Sequence, residues 1–370
     1  MDRSALRIVD ADGHVLEPLS VWAGLPEGQR PRIAKDARGV DHALVGDREI
    51  LAGPLALTGI PGARMCDFER MRRTTWDEIY PGGYDPKRRL ADMDGEGIDA
   101  AVLYPTLGLW FWAVEDPATA VALARAYNDW LASYCEADRT RLYGAAMLPL
   151  QDPEAAAQEL RRARLELGFK AAFVRPNPCL GRAIVDTGNE IVWSAAEDLG
   201  VALAIHEASA TTIRTLGEDR PLNALVLHAA SHCLEQMLAC AQLIAFGVLE
   251  RHPGLRLAFL ESGGGWVAFW LERLDDQVRG FGDYCPQMKL LPSEYFARQC
   301  WIGFEAERAI VHAAREIGAD RIVWGSDYPH HDCIFPGATE KLLRNIAPLS
   351  EVERCWVLSE SAEALYRLSA

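Results

Sequence analysis

Residues 143–176 read YGAAMLPLQDPEAAAQELRRARLELGFKAAFVRP. The segment opens with a continuous apolar run, which is typical of a strand buried on both faces of a parallel sheet. A helical pattern follows from Pro153, with apolar residues three and four positions apart, and Gly168 suits the end of that helix. A second apolar run begins at Lys170. The segment therefore predicts a β-α-β unit.

The same alternation continues in both directions along the chain. Six further apolar runs are RIVDAD (7–12), IDAAVLYP (98–105), VALAIHE (201–207), LRLAFLES (255–262), QCWIGFE (299–305) and RIVWGSDYP (321–329). Eight strands separated by helical segments predict an α/β fold, a (β/α)8 barrel of the TIM type, more than an open sheet. No low-complexity tract or flexible linker interrupts the pattern, so residues 1–370 are predicted to be a single domain.

Two segments are too long for the plain repeat. Residues 19–90 separate the first two strands and are rich in Pro, Gly and charge, so we expect a cap segment with short elements of its own. Residues 208–254, after the fifth strand, also exceed one helix. Insertions after strands 1 and 5 are expected to cover the barrel mouth and shape a substrate pocket. A dimer surface is the alternative use of such a segment.

Composition limits the classes of partner. The chain has 38 Lys and Arg against 53 Asp and Glu, a net charge of −15, which disfavours nucleic acid and anionic membranes. It has no apolar run of membrane-spanning length and no signal-peptide pattern. Its nine scattered cysteines, without a CxxC pair, favour reduced thiols and a cytoplasmic location. We expect a small organic substrate and, from the frequency of two-fold oligomers, a homodimer.

Polar residues cluster where apolar runs end. The first run leads into Asp12 and His14, the fifth ends near His206, and the eighth reaches Asp327. A barrel brings the carboxyl ends of its strands to one face, so these residues are expected to converge. Two imidazoles and two carboxylates form a suitable site for one divalent ion, Zn²⁺ in the first place and Mn²⁺ as the alternative.

The motifs DADGHVLEP (10–18), GGG (263–265) and WGSDYPH (324–330) together resemble the amidohydrolase-related (amidohydrolase 2) family. Aminocarboxymuconate semialdehyde decarboxylase and γ-resorcylate decarboxylase belong to that family. The resemblance covers nearly the whole chain and implies a (β/α)8 barrel with one catalytic metal. It also implies that His206 is the strand-5 ligand, and that Asp327 binds the metal and moves protons.

One position departs from the family pattern. Members often read His-x-Gly-Gly after strand 6, whereas this chain has ESGGGW from Glu261 to Trp266. Glu261 is expected to take the place of the histidine, either as a catalytic acid–base group or as a structural group that orients a ligand. A carboxylate cannot perform the work of an imidazole unchanged, so the reaction type stays open.

Several residues are candidates for contact with substrate. Arg175 is suited to bind a carboxylate through its planar fork, with an ion-pair role as the alternative. Aromatic residues after the second strand suit a pocket wall, with a core or dimer contact as the alternative. The candidates are Arg175, Trp110, Trp112, Trp266, His330 and His228.

Three functions follow from this pattern. The first is a metal-dependent hydrolase of an amide, lactone or activated C–C bond, with Asp327, Glu261 and His206 as catalytic residues. The second is non-oxidative decarboxylation of an aromatic or unsaturated acid, with Asp327 delivering a proton to carbon. The third is a non-catalytic scaffold or binding protein on the same barrel.

Overall fold

Eleven strands are present in the computed structural model, which describes residues 6–51, 55–63, 73–209 and 212–368. The strands are β1 (Val9–His14), β2 (Pro31–Lys35), β3 (Asp41–Val45), β4 (Arg48–Leu51), β5 (Ala100–Tyr104), β6 (Leu142–Met147), β7 (Ala171–Val174), β8 (Ala202–His206), β9 (Leu257–Leu260), β10 (Cys300–Phe304) and β11 (Ile322–Trp324). Eight of them form one sheet in the order β1-β5-β6-β7-β8-β9-β10-β11. Every adjacent pair in this sheet is parallel. The predicted parallel eight-strand fold is confirmed.

The ends of the sheet curl together into a nearly closed barrel. The Asp327 backbone N–H donates to the Asp12 carbonyl at 2.9 Å, and the His14 N–H donates to the Tyr328 carbonyl at 2.7 Å. These bonds join the chain just after β11 to β1. The first and last strand motifs of the sequence therefore become neighbours.

Helices connect successive barrel strands and cover their outer faces. They are α1 (Pro86–Glu96), α2 (Pro117–Cys135), α3 (Pro153–Leu165), α4 (Glu190–Leu199), α5 (Ala224–Ala245), α6 (Val248–Arg251), α7 (Trp266–Phe281), α8 (Pro292–Gln299), α9 (Ile310–Ile317), α10 (Ala338–Asn345), α11 (Glu351–Cys355) and α12 (Ser361–Tyr366). Helix α3 begins where the sequence predicts: the Asp152 carboxylate accepts from the Glu154 and Ala155 N–H groups, and Pro153 needs no N–H partner. Gly168, just beyond the helix, has φ +78°, a conformation that favours glycine.

The first insertion folds as a small sheet over the barrel mouth. Strands β2, β3 and β4 pair antiparallel. The Thr212 hydroxyl, in the segment after β8, donates to the Ile50 carbonyl at 2.6 Å. Arg48 pairs with Glu115, beyond the short helix 107–113 that follows β5. Because both contacts are made to segments at the carboxyl ends of barrel strands, this part of 19–90 covers the mouth as predicted.

The second insertion supplies the long helix α5. The Gln236 side-chain amide of α5 donates to the Ile205 carbonyl at 2.6 Å and the Leu260 carbonyl at 3.0 Å. Those carbonyls belong to β8 and β9, so one side chain fastens the helix to two neighbouring strands. Within the described parts of the chain, no helix combines the length and the apolar character needed to cross a membrane.

Candidate metal centre and active site

The four predicted metal ligands lie together at the carboxyl ends of the barrel strands. His206 Nε2 is 3.2 Å from Asp12 Oδ1, and His14 Nε2 is 3.6 Å from the same oxygen. Asp327 Oδ1 is 3.4 Å from His14 Nε2. All four side chains are buried. Residues separated by more than 300 positions in sequence thus form one cluster.

Backbone carbonyls orient both imidazoles. His14 Nδ1 lies 2.8 Å from the Pro105 carbonyl, and His206 Nδ1 lies 3.0 Å from the Glu207 carbonyl. A carbonyl can only accept, so each Nδ1 carries a hydrogen and each Nε2 is the ring nitrogen that faces the cluster. This second hydrogen bond is the usual arrangement of metal-binding histidines.

Glu261 is the fifth member of the cluster. It directly follows β9, and its Oε2 lies 3.3 Å from His206 Nε2 and 3.7 Å from His14 Nε2. Both Glu261 (φ 51°) and Asp327 (φ 53°) have left-handed backbones. Such a conformation costs about 1–3 kcal/mol in a non-glycine residue and is concentrated at functional sites. The fold therefore holds two carboxylates at the cluster at the expense of backbone strain.

The cluster fits a divalent cation. His14 Nε2 and Glu261 Oε2 are buried without a hydrogen-bond partner among the described residues, which costs about 1–3 kcal/mol for each group. Bonds of about 2.1 Å to one ion would place neighbouring ligand atoms about 3.0–3.4 Å apart. The side-chain atoms that would bind the ion are separated by 3.2 to 3.7 Å here. A cation between them would give the unpaired atoms a partner.

Burial makes charge on the carboxyl groups unfavourable without a cation. It raises the pKa of Glu261 to about 8. Burial, together with repulsion from Glu261, raises the pKa of Asp327 well above its usual range. Burial also holds the pKa of His14 well below its usual range, so this imidazole is uncharged and its Nε2 can bind a cation. Perturbed groups gathered in one place are typical of an active site.

A proton lies between Asp327 and His330. The Thr106 hydroxyl donates its single hydrogen to the Val15 carbonyl at 2.6 Å, so its oxygen accepts from His330 Nε2 at 3.0 Å. His330 Nδ1 then faces Asp327 Oδ1 at 2.6 Å, with one proton between the two atoms. Burial lowers the pKa of His330 to about 3, which places this proton on Asp327 when the site holds no cation.

Arg175 is placed away from the cluster, in a buried ion pair. It donates to Glu207 Oε1 at 3.0 Å, the Ala208 carbonyl at 2.7 Å, the Leu109 carbonyl at 3.1 Å and Asn177 Oδ1 at 3.0 Å. The side chain is fully buried, and four of its five N–H donors are used. Contact with a substrate carboxylate is therefore not supported, and the ion-pair alternative describes its position.

Trp110 and Trp112 lie under the loops of the mouth. Both rings are buried, and their N–H groups donate at 3.2 Å to the Ser209 and Asn177 carbonyls. Those carbonyls follow β8 and β7, so the two tryptophans join the segment after β5 to the segments after β8 and β7. Trp266 is half-buried, and its N–H donates to the Ser262 hydroxyl at 3.3 Å.

His228 and His232 differ although they lie one turn apart on α5. The exposed His228 lies 3.3 Å from Asp332, outside the cluster. His232 is buried, with Nε2 at 3.2 Å from Glu261 Oε1. The candidates for substrate contact chosen from the sequence include His228 but not His232. Helix phase does not separate the two, because residues four positions apart share a helix face; they differ in burial, His228 being exposed and His232 buried.

The fold and the cluster define a class of protein: a (β/α)8 barrel enzyme with an imidazole–carboxylate site at the carboxyl ends of its strands. The family model described as Amidohydrolase matches residues 9–368. The chain therefore belongs to the amidohydrolase family and is an enzyme of the amidohydrolase superfamily.

Named relatives cover most of the chain. The 2-amino-3-carboxymuconate-6-semialdehyde decarboxylase of Dictyostelium discoideum is 28% identical over 281 residues, 75% of each chain. The gamma-resorcylate decarboxylase of Rhodococcus jostii is 29% identical over 322 residues, 80% of this chain and 92% of the relative. An amidohydrolase structure from Mycobacterium avium subsp. paratuberculosis has a TM-score of 0.80 at 25% identity, covering 98% of this chain and 99% of the other.

Proposed function

We propose that the protein is a metal-dependent decarboxylase that releases CO2 from a small aromatic or unsaturated acid. The observation that carries the proposal is the 2.6 Å contact between Asp327 Oδ1 and His330 Nδ1, at the edge of a buried cluster of metal-ligand type. The two named relatives are decarboxylases, which favours this reaction over the hydrolysis that the sequence analysis placed first.

We infer that Asp12, His14, His206, Asp327 and Glu261 hold one divalent ion. When bound, such an ion supplies a Lewis acid that binds the oxygens of an acidic substrate and withdraws charge from them. Three carboxylates and two imidazoles suit both Mn²⁺ and Zn²⁺. The preference for Zn²⁺ inferred from the sequence stays a prediction.

The Asp327–His330 pair is the proton donor in this proposal. When the bond to the carboxyl group breaks, its electron pair stays on the substrate carbon, and that carbon takes the proton from the pair. The pair then regains a proton from water. Thr106 holds the His330 ring through Nε2, so Nδ1 stays directed at Asp327. A positioned acid of this kind contributes about 10²–10⁴-fold to a rate.

We propose that tryptophans near the barrel mouth favour a planar apolar substrate. Trp110 and Trp112 lie in the short helix after β5, and Trp266 begins α7 directly after the glycine turn. We propose that these aromatic residues exclude water from the site. Water exclusion favours release of CO2, because a dry site strengthens the pull of a cation on the substrate oxygens.

We further propose a homodimer in the cytoplasm. Helix α5 has a single charged residue, the buried Glu235, while Leu234 and Leu238, one turn apart on the same face, are exposed. On a chain of net charge −15, an uncharged apolar face is the surface on which two copies repel each other least. The cytoplasmic location is supported by the eight described cysteines, all of which are free thiols; Cys66 lies outside the described residues.

Measuring CO2 release tests the reaction. Protein depleted of metal with a chelator, then reloaded with Mn²⁺ or Zn²⁺, would be screened against aromatic and unsaturated carboxylic acids. The expected result is stoichiometric CO2 from at least one acid, only in the reloaded samples. Product carrying ¹⁸O from labelled water, with no CO2, would instead identify a hydrolase and overturn the proposal.

A further inference from the structure

A buried row of ionisable side chains lies behind Glu261, on the side away from the other ligands. Arg175 Nη2 donates to Glu207 Oε1 at 3.0 Å. Glu207 Oε2 lies 3.6 Å from His232 Nε2, and that nitrogen lies 3.2 Å from Glu261 Oε1. Arg175 and Glu207 are fully buried, and His232 and Glu261 are nearly so. The row connects the ion pair that follows β7 and β8 to the cluster.

His232 has a polar partner at each of its ring nitrogens. Its Nδ1 lies 2.9 Å from the His228 carbonyl, one turn earlier in α5, and a carbonyl can only accept. Among the described residues, its Nε2 has carboxylate oxygens as ion-pair partners, those of Glu261 and Glu207. These contacts hold the ring between the backbone of α5 and the two carboxylates.

This contact determines which oxygen of Glu261 faces the cluster. With Oε1 held by His232, Oε2 is left 3.3 Å from His206 Nε2 without a hydrogen-bond partner among the described residues. A glutamate side chain has several rotatable bonds, and a fixed partner removes much of that freedom. The backbone of Glu261 is already left-handed (φ 51°). The direction of the Glu261 side chain is therefore set by the backbone at one end and by His232 at the other.

We propose that His232 is a positioning residue that holds Glu261 as a ligand of the metal. The Arg175–Glu207 ion pair holds His232 in turn. Arg175 thus contributes to the site through two other side chains. The inference rests on the proposed metal site.

Metal affinity provides a test that does not depend on turnover. Metal-free wild type, His232→Ala and His232→Gln would be titrated with Mn²⁺ and with Zn²⁺ by calorimetry. Loss of a residue that orients a ligand weakens metal binding about 10–100-fold, and we expect this for His232→Ala. The glutamine amide can donate from a position close to that of Nε2, so His232→Gln should keep most of the wild-type affinity.

A double-mutant cycle separates positioning from general damage to the fold. If His232 acts through Glu261, adding His232→Ala to Glu261→Gln should weaken binding no further than Glu261→Gln alone. His252 is the matched control, because it is a buried histidine between Glu190 (3.0 Å) and Glu197 (3.1 Å) on α4. We expect His252→Ala to bind metal as the wild type does.

The outcomes distinguish the two proposals. Wild-type protein that binds neither ion would overturn the metal site itself. Wild-type protein that binds, with His232→Ala binding equally tightly, would overturn the role of His232 alone. If circular dichroism shows that His232→Ala is unfolded, Glu207→Gln takes its place. A smaller loss of affinity is then expected, and an unchanged affinity would contradict the proposal.

Discussion

Asp327 and Glu261 combine two features that are each unfavourable for stability, a left-handed backbone and a buried carboxyl group. Neither feature is needed to form a barrel, because strands β9 and β11 end before these residues. The two features coincide where the ligand atoms converge. At the scale of single residues, this coincidence supports a role in catalysis more strongly than the presence of acidic residues in the sequence does.

Asp327→Asn tests the proton donor. Asparagine keeps the size of the side chain but can neither hold the proton that Asp327 shares with His330 nor carry its charge. Turnover is expected to fall by about 10²–10⁴-fold or more, with the circular dichroism spectrum unchanged, as measured by CO2 release. The exposed Asp283 provides the control, since Asp283→Asn should retain full turnover. Full activity in Asp327→Asn would refute the assigned role.

Glu17 gives the fold a pH dependence of its own. Its carboxylate accepts from the Thr106, Leu107 and Gly108 N–H groups, yet burial outweighs these bonds and raises the pKa of Glu17 to about 7. The folded state therefore binds a proton that the unfolded chain releases near pH 4.5. Stability from this group is present below pH 4.5 and is lost as the pH rises through 7, by about 3 kcal/mol.

Glu17→Gln removes this ionisation. Relative to the variant, the wild type should lose about 3 kcal/mol of unfolding free energy when the pH rises from 4.5 to 7.5. Urea unfolding at the two pH values measures it. An equal difference at both would show that the Glu17 pKa is not raised.

The candidate ligands were predictable because they lie at or near strand ends, a position readable from apolar runs. The role of His232 was not, because His228 shares its helix face and the two differ only in how closely their turns lie to the barrel. The position of Arg175 shows the same limit of prediction from sequence. An arginine at a strand end suits a substrate carboxylate or a buried partner equally well in sequence, and only the position of Glu207 distinguishes the two.

At the scale of elements, each of the eight apolar runs overlaps one barrel strand, and most of the strands are shorter than their runs. The run 321–329 contains only β11 (Ile322–Trp324), because the residues after Trp324 turn to join β1 and carry site side chains. The small sheet β2–β4 was predicted only as unspecified short elements. The pairing of these strands depends on contacts between different segments of the chain, and the local pattern of apolar residues does not reveal such contacts.

Gln236 tests the attachment of α5 to the barrel. Gln236→Leu preserves the approximate volume but leaves the Ile205 and Leu260 carbonyls without the side-chain donor, so we expect a loss of about 1–3 kcal/mol. Urea unfolding measures the loss. Gln242→Leu, at a half-buried position of the same helix, is the control and should change stability by less than 1 kcal/mol or so. Equal stability of the two variants would contradict the anchoring role.

At the scale of the whole molecule, the uncharged face of α5 predicts self-association. Leu234→Glu would place a charge on that face, and two copies would then bury charged groups at their contact. Light scattering after size exclusion should change from twice 40.9 kDa for the wild type to a single chain. Leu165→Glu, at a leucine that is 74% exposed on α3's carboxyl side, should leave the mass unchanged. A monomeric wild type would contradict the proposed dimer.

The whole account depends on the barrel bringing β1, β8, β9 and the chain after β11 to one cation. Anomalous diffraction from crystals of the purified protein, recorded on both sides of the Mn and Zn absorption edges, tests this most directly. The account predicts one peak, about 2.0–2.3 Å from His14 Nε2, His206 Nε2 and a carboxylate oxygen of Asp327. Crystals soaked in either ion that show no peak among these side chains would contradict it.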